Sequence, residues 1–299
     1  MGLALLVTGG TGQVGRELVA RAPEDAVVRA PGSAELDLTH AGTVIEAVTA
    51  LAESAAADGL DPVVINAAAY TAVDEAESNR ARAFAVNADG PRVLAAACSS
   101  RRVPLLHIST DYVFPGDGDR PYATDDPVGP RSVYGLTKLA GEDAVLGSGA
   151  RAWVVRTAWV YGAHGVNFVR TMIRLAGERD TVSVVDDQRG SPTWTGDLAA
   201  GLLELAARAA GDAPPAARVL HCTGAGETTW CGLARAVFEE LGADPDRIRP
   251  CTTEEFPRPA PRPAYSVLSN DSWTAAGLTP LRDWRSALSA AFPELVEHK

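Results

Sequence analysis

Thr8-Gly9-Gly10-Thr11-Gly12-Gln13-Val14-Gly15 is the stretch from which the rest of the chain takes its meaning. Gly9, Gly12 and Gly15 form a G-x-x-G-x-x-G pattern between an apolar run at residues 3–8 and a helical stretch reaching about residue 21. A strand, a glycine turn and a helix in that order make a cradle for a pyrophosphate. Backbone N–H groups approach the phosphates, the helix N-terminus faces their charge, and the last glycine lets helix and strand pack closely. A plain tight turn also uses glycine, but the placement directly after the first strand favours a dinucleotide. Gly9, Gly12, Gln13, Val14 and Gly15 are therefore expected at a cofactor.

Downstream of the loop, short apolar runs alternate with helical stretches. Residues 26–29 read as a second strand, 41–58 as an Ala-rich helix and 63–66 as a third, buried strand. A helix over about 78–102 leads to a strand at 103–109. A loop rich in Gly, Asp and Pro follows at 115–131, then a helix at 132–146 and a strand at 153–156. The strands are apolar almost throughout, as in a parallel sheet covered on both faces. The expected fold class is α/β, a Rossmann-type doubly wound parallel sheet. After residue 160 the alternation loosens. Helices near 167–177 and 196–210 and strands near 181–185 and 219–223 suggest a smaller, interleaved C-terminal substrate-binding part. The organisation expected is a cofactor domain over 1–160, with 196–223 returning to it, and a mainly substrate-binding part over 161–299. Pro245, Pro250, Pro257, Pro259, Pro261 and Pro263 exclude a regular helix over 245–265 and suggest an irregular wall or flap.

Composition narrows the class further. The 299 residues are 46% hydrophobic and 22% charged, which excludes a disordered chain. No apolar run reaches membrane-spanning length. Met1–Thr8 has neither a basic leader nor a small-residue cleavage site, so it reads as a strand and not as a signal peptide. A formal net charge of -11 argues against a nucleic-acid partner. It still permits an anionic small substrate held by a local Arg or a helix N-terminus. Cys98, Cys222, Cys231 and Cys251 form no C-x-x-C pair and read as reduced thiols of the cytoplasm. The five histidines lack metal-ligand spacing, and no metal is expected.

At the end of the second strand an acid would hold the ribose 2′-OH of NAD. Arg29-Ala30-Pro31-Gly32-Ser33 stands there instead. Arg29 or Ser33 can accept a 2′-phosphate, so NADPH is the expected cofactor and NADH the alternative. The competing view of Arg29 is a solvated strand end. Asp37 and Leu38 lie where a side chain can meet the adenine. Tyr134-Gly135-Leu136-Thr137-Lys138 places Tyr and Lys on one helix face. Ketone reduction needs a hydride on carbon and a proton on oxygen. Tyr134 can give the proton, with a Lys138 ammonium lowering the phenol's usual pKa of about 10. Lys138 can also hold the nicotinamide ribose. Alone, such a pair is a frequent accident. Ser109-Thr110-Asp111-Tyr112-Val113-Phe114 makes it specific, because it follows a strand at its C-terminal end, where sheets of this class bind ligands. There Thr110 can donate to the substrate carbonyl and steady an oxyanion.

Together Thr8–Gly15, Asn66–Asp74, Ser109–Phe114, Tyr134–Glu142, Arg156–Gly162, Asn167-Phe168 and Asp187–Thr193 resemble the extended short-chain dehydrogenase/reductase superfamily. Within it, the sequence is most similar to the dTDP-4-dehydrorhamnose reductase family, and the likeness runs over nearly the whole chain. The resemblance implies NADPH-dependent reduction of the C4 ketone of a dTDP-linked 4-keto-6-deoxy sugar, dTDP-4-dehydrorhamnose to dTDP-L-rhamnose. Thr110, Tyr134 and Lys138 match the family triad, and Asp111 matches a neighbouring active-site acid. Ala67, Ala68 and Ala69 match positions at the cofactor. Tyr70, Tyr112, Trp159 and Asn167 match positions that meet the sugar or its nucleotide. Arg262 resembles a late motif near the substrate and can pair with the diphosphate. The plainer readings are core packing for Trp159 and a solvated loop for Arg262. Some members bind Mg²⁺ through glutamates at a dimer interface. Glu17 and Glu294 match two of these, but Gly196 falls near the third, so no metal is expected and the chain is a monomer or a homodimer. The alternatives are a reductase of another dTDP-keto-sugar (antibiotic deoxysugar or dihydrostreptose type), a sugar-nucleotide epimerase, and a non-catalytic NADP-binding regulatory subunit. A 4,6-dehydratase is disfavoured, because Tyr112 stands where such enzymes carry a Glu after Thr-Asp.

Overall fold

The computed structural model describes residues 2–297; Met1, with which the N-terminal reading begins, lies outside them. Six parallel strands form the central sheet: β1 Leu3–Thr8, β2 Val27–Arg29, β3 Asp61–Asn66, β4 Leu105–Thr110, β5 Ala152–Thr157 and β6 Val219–His221. Their spatial order is β6-β5-β4-β3-β1-β2. The chain moves outward from β1 to β2, then returns to add β3 on the other side. That reversal leaves a crevice at the carboxyl ends of β1 and β3, the ligand position of doubly wound sheets. The register sets Thr8 opposite Asn66 at the crevice. One strand over, Thr110 lies opposite Thr157.

The sheet is buried on both faces, which explains the continuous apolar strands. Leu3, Leu5, Val7, Val63, Ile65, Trp153 and Val155 face one core with Leu18 and with Leu198, Leu202 and Leu205. The alternate residues Ala4, Leu6, Val64, Leu105 and Val154 face the other, under Val44, Val48, Leu94 and Cys98. Burying each such Leu or Val fully contributes about 1.5–3 kcal/mol relative to exposure. A third core joins Tyr161, Val169, Met172, Phe238, Ile248 and Leu288 into a separate lobe.

Differences from the sequence reading have local causes. The helical region expected over about 78–102 is Val73–Ser78, Arg80–Phe84, a π-helical turn at Ala85–Asp89 and Gly90–Arg101. The π turn lets Asn87 leave the helix register. Its Oδ1 accepts from Tyr70 N (2.7 Å), and its Nδ2 donates to Tyr70 O (3.1 Å) and Thr137 Oγ1 (3.0 Å). The proline-rich 245–265 segment has no α-helix, but it contains the short strand Ile248–Cys251, parallel to Val182–Val185. Pro250 is tolerated there because the pair is an isolated two-stranded ribbon. Among the described residues, no helix is long and apolar enough to cross a membrane.

Candidate active site

A cavity of about 640 Å³ opens at the carboxyl ends of β1, β3 and β4. Its floor is the glycine loop. Gly9 has φ +70°, and a Cβ there would lie 2.8 Å from Ala68 N, so a side chain would close the cradle against the β3 end. The helix Gln13–Ala20 begins at Gly12 with no side-chain cap, leaving its first amides turned toward the cavity. Gly15 is not on the wall. Its role is packing, because a Cβ there would sit 2.3 Å from Gly9 O. Gly9, Gly12, Gln13, Val14, Ser33, Asp37, Leu38, Ala67, Ala68 and Ala69 line the cavity, as does Lys138. Amide-lined floor, apolar walls and volume together fit a dinucleotide.

Arg29 is placed differently from the expectation. It is exposed at the end of β2 and is not part of the wall. The guanidinium on the wall belongs to Arg82, which pairs with Asp37 at 3.2 Å and lies 3.4 Å from Thr39 Oγ1. Sequence spacing gave no signal for Arg82, since helix Arg80–Phe84 and the Asp37 turn meet only through the fold.

Thr110, Asp111, Tyr112 and Tyr134 line the same cavity. Thr110 ends β4, so its side chain turns out of the sheet into the crevice. Ser132 caps the helix Val133–Leu146 by accepting from Gly135 N (3.1 Å), which sets Tyr134 in the first turn and Lys138 one turn on. Lys138 is buried and donates to Ile108 O (2.7 Å). Burial brings its pKa down to about 8, with Glu142 opposing. Burial pushes the Tyr134 phenol up to about 12, opposed by a hydrogen bond with Thr110. The lowering by Lys138 expected from sequence is therefore not what this geometry produces, because the ammonium is turned onto the Ile108 carbonyl. Thr110 Oγ1 lies 2.9 Å from Asp111 Oδ1. Burial raises Asp111 to about 6, opposed by hydrogen bonds from Ser266 and Thr110.

The opposite wall comes from the second lobe. Trp159 has φ +47°, a left-handed backbone that costs a non-glycine residue energy. It stacks on Trp230 with ring centroids 3.6 Å apart and planes 6° off parallel. Both rings line the cavity. Trp230 had no sequence signal of its own. Asn167 is not on the wall. It caps the helix Phe168–Glu178 and donates from Nδ2 to Gln13 Oε1 (2.9 Å) and Gly162 O (2.8 Å), tying the lobe to the glycine loop. Tyr70 also stands behind the wall, packed with Ala76, Ala83, Val133 and Tyr134. Arg262 lines a small adjoining pocket with Tyr112, Phe114, Arg131 and Ser132.

The residues suggested for Mg²⁺ do not fit a cation. Arg21 Nε lies 2.8 Å from Glu17 Oε2, and Arg21 Nη2 lies 3.5 Å from Glu294 Oε1. A Cβ at Gly196 would fall 2.6 Å from that same Nη2. A guanidinium already occupies the space between the carboxylates.

A doubly wound parallel sheet, an amide-lined glycine cradle and a Tyr/Lys pair on the facing helix define an extended short-chain dehydrogenase/reductase. More narrowly, the chain belongs to the family described as RmlD substrate binding domain, whose model matches residues 3–297. It is 54% identical over 293 residues to a dTDP-4-dehydrorhamnose reductase of Streptomyces griseus, covering 97% of this chain and 93% of that protein. It is 50% identical over 293 residues to a probable dTDP-4,6-dihydroxy-2-methyloxan-3-one 4-ketoreductase of Streptomyces antibioticus, covering 97% and 95%. The crystal structure of a dTDP-4-dehydrorhamnose reductase from Bacillus anthracis in complex with NADP superposes with a TM-score of 0.90 at 33% identity, covering 98% of this chain and 100% of that one.

Proposed function

We propose that this protein uses NADPH to reduce the C4 ketone of a dTDP-linked 4-keto-6-deoxy sugar, dTDP-4-dehydrorhamnose being the first candidate. The observation that carries the reading is that Thr110, Tyr134 and Lys138 share one cavity with the uncapped glycine cradle. Relatives named for this reaction support it. Gly9, Gly12 and the first amides of Gln13–Ala20 would hold the pyrophosphate, with Leu38, Asp37 and Arg82 at the adenosine end. Bound there, NADPH supplies a hydride to the carbonyl carbon.

The chain's own groups handle the oxygen. As the C=O π bond opens, Tyr134 gives its phenolic proton to the developing alkoxide. A phenol pushed up to about 12 stays protonated at neutral pH, as a proton donor must. Proton transfer leaves a Tyr134 phenolate, to which a proton from solvent restores the phenol; Lys138, brought down to about 8 by burial, would hold the nicotinamide ribose. Thr110 has one hydroxyl hydrogen. The Asp111 carboxylate and the Tyr134 phenol oxygen compete for it, and protonation of Asp111 frees it toward the phenol and the substrate oxygen. Buried thiols at Cys98, Cys222 and Cys231 support the reducing cytoplasm as the setting.

The test is loss of reduced-nicotinamide absorbance with dTDP-4-dehydrorhamnose made in situ, NADH run in parallel. Turnover to dTDP-L-rhamnose is expected. NADPH binding without turnover would remove that substrate and favour the second reading, a different dTDP-keto-sugar, to which the 50% identical S. antibioticus relative points.

A further inference from the structure

Segment 257–263 crosses the rim of the site beside Tyr112. Pro257, Pro259, Pro261 and Pro263 alternate along it, which removes four amide donors and favours an extended strap. Beyond its C-terminal end the chain is pinned by backbone bonds. Tyr265 N donates to Gly116 O (3.0 Å), and Arg189 N donates to Ala264 O (2.8 Å). The strap itself hangs on one side chain. Asp74, on the helix Val73–Ser78, accepts from Arg258 Nε (3.0 Å) and Nη2 (2.6 Å) and from Ala260 N (3.2 Å), and it pairs with Arg262 Nη2 (2.9 Å).

Two guanidiniums thus share one carboxylate. The arrangement leaves excess positive charge on the rim of a chain whose net charge is -11. Arg262 lines the small pocket here beside Arg131, which is itself paired with Asp117, and Tyr112 lines both that pocket and the main cavity. The charge therefore sits beside the reacting centre but outside it, where a nucleotide sugar carries its phosphates.

We propose that Asp74 is a placeholder for the substrate's diphosphate. On binding, Arg258 and Arg262 exchange the carboxylate for the phosphates and draw the strap down over them. This rests on the reading of the substrate as a nucleotide sugar, and it gives Arg258 a part in recognition.

The experiment is calorimetric titration of the full-length enzyme with dTDP, with NADPH affinity measured on every variant as a check of fold. Arg258→Ala is expected to weaken dTDP about 10-fold, the scale of one lost charge-assisted contact. Arg258→Lys should recover part of the loss. Asp74→Asn should tighten dTDP about threefold, since the competitor for the arginines loses its charge. Wild-type affinity in Arg258→Ala, or weaker binding in Asp74→Asn, would overturn the exchange. If wild type ignores dTDP but binds UDP or GDP in an Arg258-dependent way, the strap proposal stands and the thymidine reading falls. Binding none of the three overturns both.

Discussion

The two walls of the cavity are built on different principles. The cofactor side is made of strand ends and backbone: Gly9 and Gly12 after β1, Ala67–Ala69 after β3, Thr110 at the end of β4. Each position follows from where a parallel strand stops. The facing wall is made of side chains held by distant partners: Trp159 on Trp230, with Arg262 on Asp74 in the adjoining pocket and Asn167 on Gln13 behind the wall. A backbone-built wall depends on its glycines more than on its side chains, whereas a wall of long-range contacts depends on each side chain it brings together.

Perturbing each wall separately tests the contrast, and the largest effect should come where the walls meet. Tyr134→Phe removes the proton donor and is expected to cut kcat by at least about 100-fold, while NADPH affinity stays within about twofold. Near-normal turnover in steady-state kinetics would take Tyr134 out of the chemistry. Next comes Trp230→Ala, which strips the platform under Trp159. A stacked aromatic pair is worth about 0.5–1.5 kcal/mol beyond burial, so KM for the sugar nucleotide should rise up to about 10-fold. If NADPH affinity falls equally, the aromatic pair belongs to the cofactor side and the division fails.

Smaller effects sharpen the cofactor side. Arg82→Ala should weaken NADPH about fivefold by fluorescence titration and Arg29→Ala less than about twofold, because Arg82 faces the cavity and is half exposed. The reverse order would restore Arg29 as the phosphate reader. The smallest change concerns stability. Asp111 has a folded pKa raised to about 6 from an ordinary 3.8. The folded chain therefore holds this proton more tightly than the unfolded one. The cost of ionising it is absent below the unfolded value and complete above about 6. Asp111→Asn should melt about 2–4 °C above wild type near pH 8 and level with it near pH 4. A constant offset across that window would show that burial of the charge is not the cause.

Much of the cofactor side was legible because it is local. The glycine spacing, the apolar runs and the Tyr-to-Lys interval each occupy fewer than about ten residues, and a parallel strand announces its end by its composition. What was not legible depends on chain segments meeting. Arg29 and Ser33 are both sequence candidates for the 2′-phosphate; Ser33 lines the cavity and Arg29 does not, while Arg82, for which spacing gives no signal, lines it too. Asn87 sits in a π turn that periodicity cannot separate from an ordinary helix. Ser266 reaches Asp111 only because Tyr265 and Ser266 are drawn onto Gly116 and Arg189. The proline pattern around it announced an irregular segment without saying what the segment would touch.

The position of β6 bears on how the molecule can be made. Val219–His221 completes the sheet beside β5 only after the chain has left for the second lobe and returned. The helix Thr195–Ala210, which closes one face of the sheet, arrives just before it. Until then the β5 edge is bare, and Leu5, Ile65 and Trp153 lack the cover of Leu198, Leu202 and Leu205. A chain cut near residue 160 would keep that state permanently, presenting an unpaired apolar strand to other copies of itself. The glycine loop and the helix Val133–Leu146 lie wholly within residues 1–160, but the sheet that carries them is completed only by β6 and the helix Thr195–Ala210.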